Sequence, residues 1–144
     1  MTNNQITKNV VVKEPGAVFA QAIAGDFIEL SNYKYVDFFV VSGVGTAANT
    51  TVTIKGKLGA TGTAANLAFK EKTTSTEFTA VPATGKTLSV GGTAGNCGKA
   101  VFRITADDLS SQGYDRVNIN TTAVSGSTVP GTIVAILGGP RYTE

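Results

Sequence analysis

Apolar and polar residues alternate along much of this chain with the period of two that a half-buried β-strand requires. Val52, Ile54, Gly56 and Leu58 fall on one side and Thr53, Lys55 and Lys57 on the other. Ala100, Phe102 and Ile104 alternate with Val101, Arg103 and Thr105, and Val117, Ile119 and Thr121 with Asn118, Asn120 and Thr122. Shorter strands are expected at Asn9 to Lys13, Ala17 to Ile23, Phe27 to Leu30, Leu67 to Glu71, Glu77 to Ala80 and Lys86 to Val90. Two segments break the alternation because nearly every residue is apolar: Val36 to Val41 (Val-Asp-Phe-Phe-Val-Val) and Thr132 to Leu137 (Thr-Ile-Val-Ala-Ile-Leu). Such strands run through a sheet interior or have their second face covered by a neighbour.

The intervening segments, Ser42 to Asn49, Gly59 to Asn66, Pro82 to Gly85 and Gly91 to Gly98, are rich in glycine and read as turns. No stretch has the pattern of a three-turn amphipathic helix. Thr105 to Ser110 is suited to one short helical turn, with Thr105 as its cap and Asp107 and Asp108 at its positive end. Short strands at near-regular spacing predict an all-β fold, an antiparallel β-sandwich of jelly-roll type in a single domain. Residues 1–18 form an extended N-terminal arm or a first strand, and residues 19–144 form the sandwich. The arm reading rests on how little the first nine residues offer for burial, with Val10, Val11 and Val12 able to add a strand to a neighbour.

A length of 144 residues suffices for one sandwich core without disulfide or metal. Cys97 is the sole cysteine, so no intrachain disulfide can form. Charged residues make up 15% of the chain, fewer than an isolated soluble domain normally carries, which hints at surface covered in the working state. A net charge of +2 spread over scattered lysines gives no grip on nucleic acid. The start of the chain lacks a signal-peptide pattern and no apolar run approaches membrane-spanning length, so synthesis in a cytoplasm without membrane contact is expected.

The chain has no histidine, which removes the Ser-His and Cys-His dyads and the commonest metal ligand. Asp107 and Asp108 are the obvious carboxylate pair for glycoside hydrolysis, but adjacent residues on a turn point to solvent. Gly43-Val44-Gly45-Thr46-Ala47-Ala48 resembles a phosphate-binding loop only loosely, because a strand follows it where a helix N-terminus is needed; a hairpin loop is expected. No cofactor, metal site or catalytic residue is expected.

Three runs resemble small virion structural proteins of tailed bacteriophages. They are Ser31-Asn32-Tyr33-Lys34-Tyr35-Val36-Asp37-Phe38-Phe39-Val40-Val41 with Thr51-Val52-Thr53-Ile54 after it; Phe102-Arg103-Ile104-Thr105-Ala106-Asp107-Asp108-Leu109; and Gly113-Tyr114-Asp115-Arg116-Val117-Asn118-Ile119. Gly138-Gly139-Pro140-Arg141-Tyr142 closes the series, and the likeness spans Asp26 to Tyr142. It implies a capsid decoration or cement protein, non-enzymatic, that binds the major capsid protein on the outside of the head and assembles with itself, as a trimer in the family picture. The virion surface would be its location. Val10, Val11, Val12, Tyr33, Tyr35, Arg116, Arg141 and Tyr142 are the expected interface residues, as strand-forming or amphipathic groups of the kind enriched at interfaces. A tail, baseplate or head-fibre component and a carbohydrate-binding sandwich for host adhesion are the alternatives. The absence of tryptophan counts against the last.

Overall fold

The computed structural model describes residues 7–73, 76–93 and 98–140. Within them the chain forms β1 (Thr7–Gly16), a 3₁₀ turn (Val18–Ala20), β2 (Ile23–Ala24), β3 (Ile28–Glu29), β4 (Tyr33–Ser42) and β5 (Gly45–Lys57). There follow β6 (Ala65–Leu67), β7 (Phe69–Lys72), β8 (Thr79–Val81), β9 (Lys86–Gly92), β10 (Lys99–Thr105), α1 (Ala106–Ser111), β11 (Arg116–Thr121) and β12 (Gly131–Pro140). One sheet, here sheet A, has the order β1-β12-β4-β10-β7-β8. In the other, sheet B, β11 lies between β5 and the short pair β2 and β3, while β6 and β9 share the far edge of β5. Neighbours are antiparallel throughout.

If β2 and β3 count as one interrupted strand and β6 to β8 as an excursion, eight strands remain. Their order is first-eighth-third-sixth in sheet A and second-seventh-fourth-fifth in sheet B. That is the winding of a jelly roll, the all-β sandwich expected from the alternation. Ala100, Phe102 and Ile104 of sheet A and Val52, Ile54, Val117 and Ile119 of sheet B point inward as it assigned, and Val36, Phe38, Val40, Ile133, Ala135 and Leu137 of the two unbroken apolar strands join them in the core. Phe19, held by the 3₁₀ turn, is fully buried in the same core. Phe69 meets Phe102 edge to face, with ring centroids 5.7 Å apart.

Several segments differ from expectation. Ala17 to Ile23 is not a strand; it turns through the 3₁₀ segment, and pairing begins only at Ile23. Leu67 to Glu71 divides at Ala68, so that β6 joins sheet B and β7 sheet A. Alternation gives the pleat but not the sheet to which it belongs. Most of Ser42 to Asn49 is strand, since β5 begins at Gly45. Its two-residue connection at 43–44 carries the chain from sheet A to sheet B, so it is a crossing between layers rather than a hairpin. Leu58 falls past the end of β5 and is exposed.

Two local signals behave as the residues dictate. The Thr105 hydroxyl accepts a hydrogen bond from the Asp108 amide at 3.1 Å, capping the six-residue α1, and Asp107 and Asp108 occupy its first turn. The turn before β9 closes through Gly85 N–H to the Pro82 carbonyl at 3.0 Å with Gly85 at φ 100°, a backbone state that glycine adopts without strain.

Candidate docking face

The outward sides of the two sheets differ in chemistry. In sheet B, Thr51, Thr53, Lys55, Lys57, Asn118 and Asn120 alternate with the core residues and point away from it. Asn120 donates to Asn118 Oδ1 at 2.9 Å, and Lys57 lies 4.4 Å from the centre of the Phe27 ring. This surface is polar and half-exposed, with Asn118 buried within it and donating to the Gly25 carbonyl at 2.7 Å.

In sheet A, cross-strand register sets Val11, Val134, Phe39 and Val101 side by side across four strands. Residues paired in register share a face, and the residues flanking these four point into the core, so the row faces outward. The adjacent rows add Ile136 and Val41. Val11 is 55% exposed and Val41 45% exposed, and the others are half-buried. The apolar runs of β4 and β12 therefore lie next to each other in mid-sheet, with one face in the core and the other unclad.

A charged pair is set within this apolar field, and Lys70 and Lys72 of β7 and Lys99 of β10 lie at its margin. Asp37 lies directly opposite Arg103, whose Nε and one terminal nitrogen donate to the two carboxylate oxygens at 2.6 and 2.7 Å. The guanidinium is also held between the rings of Tyr35 and Phe78, 4.2 and 4.5 Å from their centres. The hydrogen bond to Asp37 raises the Arg103 pKa against the opposing effect of burial, and the charges of Asp37 and Tyr35 add to the rise. Arg103 is thus a fixed cation. The Tyr35 ring lies over Gly138 on the neighbouring strand, where any side chain would collide with it. Beside this stack is an open groove of about 440 Å³, lined by Phe39, Val41, Val101, Phe78, Lys72 and Lys99 among others.

The residues expected at an interface do not gather into one patch. Val11 and Tyr35 lie on the outer face of sheet A. Val10 and Val12, on the same edge strand β1, are partly buried against the core, as is Tyr33. Arg116 belongs to sheet B, where it lies 3.5 Å from Glu29 and 3.9 Å from Asp115. Arg141, Tyr142 and Cys97 fall outside the described residues. Asp107 is exposed on α1, and Asp108 lies 4.0 Å from Lys70. Among the described residues, no three His, Cys, Asp or Glu side chains cluster as a metal site requires, and no helix is long and apolar enough to cross a membrane.

Phe39, Val101, Val134, Ile136 and the Asp37–Arg103 pair were not singled out from the sequence as interface residues. Two signals pointed to them. One was the pair of unbroken apolar strands, and the other was an aspartate inside one of those strands, which must find a cation.

No family model matches the chain, and no curated protein matches it. Its fold is similar to that of the SPBc2 prophage-derived protein YomS, a crystal structure. The TM-score is 0.55 at 11% identity, and the match covers 92% of this chain and 93% of that one. The likeness extends over the whole sandwich and concerns the fold.

Proposed function

We propose that the protein is a non-enzymatic virion structural protein that decorates and stabilises a tailed-phage capsid, and that the outer face of sheet A seats it on the major capsid protein. The observation that carries this reading is the outward apolar row Val11–Val134–Phe39–Val101, set against a polar outer face on sheet B. Leaving such a row in water forfeits about 25 cal/mol for each Å² of apolar surface that a partner would cover. One face fit for solvent and one fit for contact is the division of labour expected of a module that sits flat on a larger assembly. Repeated copies on a symmetric shell add avidity to a modest individual contact. The prophage origin of a protein with a similar fold supports a phage setting.

The test is co-sedimentation of the purified protein with heads that lack it, after light scattering has fixed its solution mass and tested the expected trimer. Saturable binding in a fixed ratio to the major capsid protein, with greater resistance of the heads to heat, is the expected result. Failure to bind heads at saturating protein would reject the decoration role.

A further inference from the structure

The groove on the outer face of sheet A has a chemistry more specific than apolarity. Its floor is Phe39, Val41 and Val101, with Phe78 as one wall. Register places Lys72 beside Val101 and Lys99 beside Val41, so both ammonium groups rise from the same face as the apolar floor. The lining holds three cations, Lys72, Lys99 and Arg103, and one carboxylate, Asp37. Because Arg103 and Asp37 neutralise each other in their fork, the two lysines remain as net positive charge. Glu77, the acid nearest Phe78 in the chain, is not part of the lining.

We infer that this groove takes an extended segment of the partner protein in which apolar side chains alternate with carboxylates. The inference rests on the docking role proposed above and adds the chemistry of the partner. An extended strand repeats its side chains on one side about every 6.6 Å, so it can set an apolar group on the Phe39 and Val101 floor while its acids reach the lysines. A second copy of this face is a poor occupant, since it would bring lysine against lysine. Nucleic acid is also a poor fit, because two ammonium groups engage only about two phosphates.

The probes are fluorescently labelled peptides of about nine residues, one alternating glutamate with leucine and one alternating lysine with leucine, together with a single-stranded oligonucleotide of similar length. The glutamate peptide should bind saturably, about tenfold more tightly than the lysine peptide, and should weaken as salt rises. The double variant Lys72→Glu and Lys99→Glu should reverse the preference with only a small change in melting temperature, Lys99 being exposed and Lys72 half-buried beside the Phe78 ring, and should weaken binding to heads by a similar factor. Equal binding of the two peptides, or preference for the oligonucleotide, would overturn the inference. If the wild-type protein binds heads and the double variant binds them equally well, the inference falls and the decoration role stands. If the glutamate peptide binds with the stated charge dependence but heads are not bound, the groove's preference stands and the decoration role falls.

Discussion

The Asp37–Arg103 pair permits a quantitative test of how the outer face of sheet A is built. Arg103→Met removes the cation and leaves the Asp37 side chain, 11% exposed, without its two donors. Breaking a fully buried pair in this way costs roughly 3–5 kcal/mol. The Arg103 side chain is 29% exposed, so water already reaches the site and the expected loss is about 2–3 kcal/mol. For a chain of this size that corresponds to a fall in melting temperature of roughly 5–10 °C. Asp37→Val should cost less, about 1–2 kcal/mol, because the guanidinium keeps its two aromatic neighbours and its access to water. The double variant Asp37→Val, Arg103→Met leaves no charge unpaired and places a β-branched residue in a central strand. It should lie within about 1 kcal/mol of the wild type, giving a coupling energy of at least about 2 kcal/mol. The sign of the pH dependence follows from the raised Arg103 pKa: the stabilising effect is complete below the unfolded-state value and is lost only as pH rises through the higher folded-state value. The Arg103→Met penalty should therefore be constant between about pH 6 and 9. Urea and thermal denaturation of the four proteins measure the cycle. A loss below about 0.5 kcal/mol for Arg103→Met, or strict additivity of the two substitutions, would refute the reasoning.

Other consequences follow from single contacts. Phe102→Ala deletes a fully buried ring packed edge to face on Phe69 and should cost about 3–5 kcal/mol in denaturant, a large fraction of the stability of a typical domain. Thr105→Ala removes the cap on the Asp108 amide and should cost about 1 kcal/mol, with Thr105→Ser restoring most of it. Gly138→Ala drives a methyl group into the Tyr35 ring and should cost about 1–3 kcal/mol. It should also move Tyr35 off Arg103, which the tyrosine ring signals in an NMR spectrum would report.

The parts of the fold that were legible are those set by residues close in sequence. Strict alternation at 100–105 and 117–122 placed Phe102, Ile104, Val117 and Ile119 in the core. The threonine before two aspartates marked the start of α1, and a proline with a glycine three residues later marked the turn before β9. What could not be read depends on which strand lies beside which. Residues 67–71 carry one continuous pleat, yet the chain changes sheets at Ala68. Asp37 and Arg103 meet only because β4 and β10 pair in one register across 66 positions of chain. The docking face is a property of that same register: Phe39 and Val134 look like core residues until their strands are found side by side with the core already filled from the other face. Amphipathic residue type alone led instead to Arg116, which lies on the opposite sheet among its own acids.

The most direct test of the docking assignment compares two outward substitutions, Val134→Asp in sheet A and Thr53→Asp in sheet B, in co-sedimentation with heads that lack the protein. Both proteins should fold, as circular dichroism and melting would verify. The account predicts that Thr53→Asp sediments with heads as the wild type does and that Val134→Asp stays in the supernatant. Equal binding by the two variants, or loss of binding by Thr53→Asp alone, would contradict it.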